Sequence, residues 1–162
     1  MLRLIPKPLH IAALRTVHAL RLRWWRLMGT RVTGCRVVAL DARCRVLLIR
    51  HSYGVSHWML PGGGMKRGED PVVAGARELF EETAVRITGA AKIGMIADTL
   101  HGSVNDVHVI AGWTRDTPVA DGREIVEAAF FALDALPADI SRRLPDLLPG
   151  YVIAAKAARR GE

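Results

Sequence analysis

Three carboxylates, Glu78, Glu81 and Glu82, stand at i, i+3 and i+4 in a stretch, Pro71 to about Ala84, whose composition is helical throughout. With Glu78 at zero and about 100° per residue, Glu82 falls at roughly 40° and Glu81 at roughly 300°, so the three share one helix face. Like charges at these spacings destabilise a helix by roughly 0.2–0.5 kcal/mol per pair, a cost that a bound divalent cation would reverse. Hard cations such as Mg²⁺ prefer carboxylate oxygen, take one or two protein carboxylates, and keep waters or substrate phosphates in their other positions. The plainer alternative is a solvated glutamate face. Leu79, Val72, Ala76, Phe80 and Val73 occupy roughly 100° to 220° of the same wheel, so that arc is expected to bury against a sheet.

The elements around this helix are set by punctuation and periodicity. Asp70-Pro71 offers an N-cap followed by proline at the first helical position. Seven residues ahead of Pro71 ends the run Pro61-Gly62-Gly63-Gly64, a turn almost without side chains. Its backbone could approach an ion or phosphate closely, although such a run alone often marks only a tight bend. Val32–Leu40 and Cys44–His51, rich in Val, Leu and Ile, flank Asp41-Ala42-Arg43 and predict a β-hairpin. Ser52 to His57 reads as a loop and Trp58-Met59-Leu60 as a short strand. Ala91–Asp98, Asp106–Thr114 and Glu124–Leu133 read as further strands, with turns at Asp121-Gly122 and Asp134–Pro137. Ile140 to Arg160 reads as a helix broken at Pro149-Gly150. This order predicts an α/β (α+β) domain, a mixed sheet with helices on its faces.

Length and charge bound the rest. The 162 residues carry a formal net charge of +7 and 50% hydrophobic residues, which suits one globular core and excludes collagenous and wholly disordered chains. Residues 1–36 hold eight Arg or Lys and no acid, leaving 15 basic against 16 acidic groups beyond them. The charge therefore describes an N-terminal segment more than the domain. From Leu9 to Met28, apolar Ala13, Val17, Leu20, Trp24, Leu27 and Met28 recur at helical spacing with Arg15, His18, Arg23 and Arg26 opposite, which predicts a basic amphipathic helix. The expected division is an extension over 1–30 and a domain over 31–162. No apolar run approaches the length of a membrane span, and arginines and histidines interrupt the N-terminal stretch every few positions, so neither a span nor a secretory leader is expected. Cys35 and Cys44 have no metal or disulfide spacing, and a reducing, cytoplasmic setting is the default.

Gly63, five residues, Glu69, seven residues, then Arg77-Glu78-Leu79-Phe80-Glu81-Glu82-Thr83-Ala84-Val85 resembles the Nudix box, G-x5-E-x7-R-E-U-x-E-E-x-G-U. Every fixed position matches except Ala84, which stands where the family usually has the glycine that serves the helix end. Lys66 also stands where many members carry an acid. The approach Trp58-Met59-Leu60-Pro61-Gly62-Gly63-Gly64 and the late stretch Glu124-Ile125-Val126-Glu127 to Pro137 look like the family's own. The resemblance implies an α/β/α sandwich with a mixed sheet. It also implies hydrolysis of a pyrophosphate bond in a nucleoside diphosphate linked to another moiety, with Mg²⁺ or Mn²⁺. The alternative is a Nudix-fold module that binds a nucleotide or partner and regulates.

By that resemblance, Glu78, Glu81 and Glu82 would bind metal and activate water, with the carbonyl of Gly62 as a further ligand. Arg77 would hold the glutamates, with Glu69 as its ion-pair partner. Of the candidates outside the box for a last ligand or base (Glu124, Glu127, Asp106 and His101), Glu127 ranks first. Gly63, His51, Tyr53 and Trp58 are expected against the substrate, with His57 nearby, although a strand-start aromatic also suits the core. The expected partner is a nucleotide-derived diphosphate. For residues 9–28 the readings open are docking on the domain or a second subunit of a homodimer, a membrane surface with peripheral association, an organellar presequence, and, ranked lower, RNA.

Overall fold

Val37, Val38, Ala39 and Leu40 are all buried although they are consecutive in one strand. A strand sends neighbouring side chains to opposite faces, so both faces of the sheet must be covered. The computed structural model describes residues 32–52, 57–100, 103–120, 122 and 124–161. The helix expected over 9–28, the division at residue 30, Tyr53 and His101 lie outside the described residues.

The chain order is β1 (Val32–Leu40), β2 (Val46–His51), α1 (Pro71–Thr83), β3 (Thr88–Leu100), β4 (Ser103–Trp113), β5 (Ile125–Phe131) and α2 (Leu144–Arg160). The five strands form one sheet in the order β3-β4-β1-β2-β5. β1 and β4 pair in parallel, from Val32↔Asn105 to Leu40↔Trp113, and the other pairs are antiparallel. Val37, Ala39 and Leu47 meet Leu79 of α1 on one face. Val38, Leu40, Val46 and Leu48 meet Leu144, Leu148, Val152 and Ala155 of α2 on the other. The result is the expected α/β/α sandwich with a mixed sheet.

Several boundaries differ from the sequence reading. β2 begins two residues after Cys44, because Asp41–Cys44 forms a tight turn in which Cys44 takes φ 59° and its N–H donates to the Asp41 carbonyl at 3.0 Å. Trp58 and Met59 make only isolated bridges, to Ile140 and Ile49, instead of a strand. β3 and β4 are each longer than expected and form a hairpin. Helix α2 runs through Pro149 without a break. The missing N–H costs one hydrogen bond near the helix start, and the buried stripe Leu144-Leu148-Val152-Ala155 continues past it.

Helix α1 forms as expected at its start, where Asp70 Oδ1 accepts from Val72 N at 2.8 Å and Val73 N at 3.2 Å. Its buried arc is displaced from the expected one. Ala74, Gly75, Leu79 and Thr83 are buried, whereas Val73 and Phe80 are 60% and 41% exposed. Small residues explain the rotation: a Cβ on Gly75 would stand 3.0 Å from Ile110 Cγ1 and 3.2 Å from Val37 Cγ2, so α1 approaches the sheet along this line. On the wheel, Ala74 and Gly75 fall at roughly 320° and 60°, on either side of Glu82. Glu82 is thereby drawn towards the sheet. The helix ends at Thr83, and Ala84 takes the left-handed position, φ 58°, with its N–H donating to the Phe80 carbonyl at 2.8 Å.

Candidate active site

β2 pairs with β1 only at Leu40↔Val46, and the glycine loop takes the place beside the rest of β1. Val37 N donates to the Pro61 carbonyl and Cys35 N to the Gly63 carbonyl, each at 2.9 Å, and Met65 N to the Thr33 carbonyl at 3.0 Å. Gly62 has φ 140°, and a Cβ there would collide with the Cys35 carbonyl. A Cβ on Gly63 would strike the Glu78 carboxylate. Gly62 excludes a side chain outright, one at Gly63 would have to displace the Glu78 carboxylate, and the loop backbone lies directly against the carboxylates of α1.

Arg77 ties loop and helix together. Its Nε and Nη2 donate to Glu69 Oε1 and Oε2, both at 3.0 Å, Nη1 to Glu78 Oε1 at 2.7 Å, and Nη2 also to the Gly64 carbonyl at 3.2 Å. Glu81 Oε2 lies 3.4 Å from Nη1. Hydrogen bonds from Arg77 and from Lys66 N hold the Glu69 carboxyl down at about 2. The same partners, Glu69 before Glu78, push the Arg77 guanidinium above its ordinary value. Lys66 thus takes part through its backbone.

Glu82 is nearly enclosed, with 10% of its side chain exposed. Its Oε2 accepts from Gly62 N at 2.8 Å, and His51 Nε2 lies 3.9 Å from Oε1. Burial pushes its carboxyl up to about 8; the Gly62 N–H and Arg36 oppose that shift, and the carboxylates of Glu78 and Glu124 add to it. Glu78, Glu81, Glu82 and Glu124, with Ile125, line one cleft of about 70 Å³. Among the described residues no three carboxylate, imidazole or thiol groups stand arranged to hold a metal ion by themselves. The donor set still fits a hard divalent ion, which needs only one or two carboxylates and waters. Four carboxylates at one cleft, one of them kept from ionising by burial and like charge, leave negative charge for such an ion to neutralise.

The remaining candidates separate. His51 stands beside Glu82 and Gly63 beneath Glu78. Glu127 does not line the cleft: it is half-exposed and its Oε2 lies 3.4 Å from Arg50 Nε. A register shift between Arg50 and His51 in the β2–β5 ladder breaks the alternation there, and Glu124 is the late-strand carboxylate at the cleft. Asp106 lies on β4 opposite Thr33, away from the cleft lining. Trp58 is a core residue, 7% exposed, edge-on to Phe131 with centroids 4.8 Å apart and with the Arg50 guanidinium 5.0 Å from its ring. It offers no free face for a base. His57 is exposed. The sequence reading did not single out Arg36, whose Nη1 donates to the Gly62 carbonyl at 3.0 Å. Its signal is one arginine inside an otherwise apolar strand.

A family model described as a NUDIX domain matches residues 30–151. A protein from Rhodopseudomonas palustris (strain BisB18) called RNA pyrophosphohydrolase is 41% identical over 70 residues, 40% of this chain and 39% of that protein. A Bos taurus protein called diphosphoinositol polyphosphate phosphohydrolase 3-beta is 46% identical over 52 residues, 32% of each chain. The chain thus spans about two fifths or less of the curated relatives it matches. The crystal structure of a MutT NUDIX hydrolase from Burkholderia pseudomallei is similar in fold, with a TM-score of 0.64 at 23% identity over 74% of this chain and 97% of that one.

Proposed function

The chain belongs to the Nudix family, and on that premise we propose that it hydrolyses the pyrophosphate bond of a nucleotide-derived diphosphate with a divalent ion, Mg²⁺ or Mn²⁺. The observation that carries this reading is the cleft lined by Glu78, Glu81, Glu82 and Glu124 against a glycine-only backbone. Glu78, Glu81 and Glu82 would hold the ion, with Glu124 instead of Glu127 as the further carboxylate. The Gly62 carbonyl can add a ligand through its second lone pair while Arg36 occupies the first. When bound, the ion neutralises phosphate oxygens and acidifies a coordinated water.

The chain's own residues then orient and move the proton. Arg77 and Glu69 fix Glu78 relative to the loop, a supporting role reached through hydrogen bonds and without contact to substrate. Glu82, buried, and Glu81, 58% exposed, are the two carboxylates suited to take the proton of the attacking water. His51, 3.9 Å from Glu82, can pass that proton outward or meet a phosphate oxygen. The names of the relatives, one acting on RNA and one on a diphosphoinositol, share a diphosphate-type target, which supports the bond cleaved more than the group attached to it. Two free cysteines, Cys35 and Cys44, suit a reducing cytoplasm, and among the described residues no helix is long and apolar enough to cross a membrane.

A substrate panel tests the reading: nucleoside diphosphates linked to sugars, dinucleoside polyphosphates and 5′-triphosphorylated RNA, each with Mg²⁺, Mn²⁺ or chelator. Metal-dependent release of a phosphorylated product from at least one is expected. Ligand-induced thermal shifts with no product from any of them would favour the regulatory binder instead.

A further inference from the structure

A second cleft, of about 460 Å³, opens at the other end of the sheet and is lined by Arg43, Arg45, Arg115, Thr114, Thr117 and Phe130 among others. Strand β5 connects the two clefts: Ile125 lines the acidic one and Phe130 this one. Five residues at about 3.3 Å each place them about 17 Å apart.

The turn between β1 and β2 presents two of the three arginines and fixes the side chain of one of them, Arg45. Asp41 Oδ1 accepts from Arg43 N at 2.9 Å and Arg45 N at 2.8 Å, and Oδ2 accepts from Arg45 Nε at 2.6 Å. Arg45 is therefore held by its inner nitrogen, with its guanidinium 5.9 Å from the centre of the Phe130 ring. Among the described residues its two outer nitrogens carry no hydrogen bond, and the exposed side chains of Arg43 and Arg115 carry no ion pair. Of the two carboxylates at the cleft, Asp41 is engaged as above and Asp116 accepts from Arg86 N at 2.8 Å through Oδ2, so three guanidiniums stand against two carboxylates. The cleft thus offers guanidinium donors in excess of unsatisfied acceptors, a threonine hydroxyl at Thr117, and a planar Arg45 backed by an aromatic ring. Guanidinium forks match phosphate oxygens, a flat arginine can stack on a base, and the volume suits a nucleotide-sized ligand.

We propose that this arginine-lined cleft is a second binding site, for the phosphate groups of a nucleotide or of an RNA chain, separate from the acidic cleft. The two sites differ in what they require. The acidic cleft repels phosphate until a metal ion is bound, whereas the arginine cleft attracts it directly.

Calorimetric titration of the full chain in excess chelator tests this, with inorganic phosphate, AMP and a short 5′-hydroxyl oligoribonucleotide as probes. Saturable binding of AMP or the oligonucleotide is expected without metal. The double variant Arg43→Ala/Arg115→Ala should weaken it by about tenfold or more, and Glu81→Gln should leave it unchanged. Metal-dependent hydrolysis of a small substrate should be equal in wild type and double variant. Should the double variant fail to fold, Thr117→Glu, which places a carboxylate on the cleft wall, should give the same loss. Tighter binding of AMP identifies a free nucleotide as the ligand, and tighter binding of the oligonucleotide an RNA chain. Absence of metal-free binding by the wild type, or binding that persists unchanged in the variants, including RNA held only by the basic segment 1–36, overturns the proposal.

Discussion

Glu82 on α1 accepts a hydrogen bond from the backbone N–H of Gly62 at 2.8 Å, and this contact joins the carboxylate helix to the glycine loop. The same enclosure raises the Glu82 carboxyl to about 8 from an ordinary value of 4.5. In the metal-free chain, folding therefore takes up a proton between these two values. The folded state binds more protons there, so stability falls as pH rises through the window, by up to about 1.4 kcal/mol per pH unit, and levels off above it. Glu82→Gln keeps an acceptor for Gly62 and removes the charge. The variant should match wild type near pH 5 and exceed it at pH 9 in urea unfolding with chelator present; a pH profile identical to wild type would contradict the assignment.

Added Mg²⁺ should oppose this destabilisation, since an ion at the cleft competes with the proton on Glu82. The rise in Tm on adding Mg²⁺ is expected to be larger at pH 8.5 than at pH 6. An equal rise at both would place the ion elsewhere.

Arg77 holds Glu69, Glu78 and the Gly64 carbonyl with one planar guanidinium. Lysine cannot make these contacts together. Arg77→Lys should lower metal affinity or turnover by about 10–100-fold, the usual cost of losing a group that orients ligands. Glu69→Gln should act in the same direction but more weakly, because the Arg77 bonds to Glu78 and Gly64 remain. Titration of Mg²⁺ against turnover checks both.

Ala84 carries a side chain where the backbone is left-handed, φ 58°. Glycine has no steric penalty there, although it gains more freedom in the unfolded chain. Ala84→Gly should stabilise the protein by about 0.5–1 kcal/mol, with turnover unchanged, as measured by the shift in denaturant midpoint.

The helix and the glycine loop were legible because each depends on local spacing, and the Arg77–Glu69 pair because the resemblance to the box implied it. Asp70-Pro71 marks a helix start, and the box fixes which residues fall on which turn. The orientation of that helix was not legible from its own periodicity. Val73 and Phe80 look like core positions on a wheel, but Ala74 and Gly75 permit a closer approach to Ile110 and Val37, and that packing sets the buried arc. Glu82 enters the interface as a consequence. Glu127 ranked ahead of Glu124 in the sequence reading, whereas the β2–β5 ladder is irregular at Arg50/His51 and Glu124 is the one that lines the cleft. Pro149 reads as a helix break, yet the apolar stripe on either side of it continues on the same face. Contacts between elements distant in sequence decide each of these cases.

In the function proposed for this cleft, its box carboxylates carry metal-dependent cleavage of a pyrophosphate bond. The most direct test is the single-turnover rate of Glu81→Gln and Glu82→Gln in the full chain, on the best substrate of the panel, with saturating Mg²⁺ and Tm recorded in parallel. A fall of about 10²–10⁴-fold is expected in at least one variant, with the fold retained. Near-wild-type rates in both would contradict it.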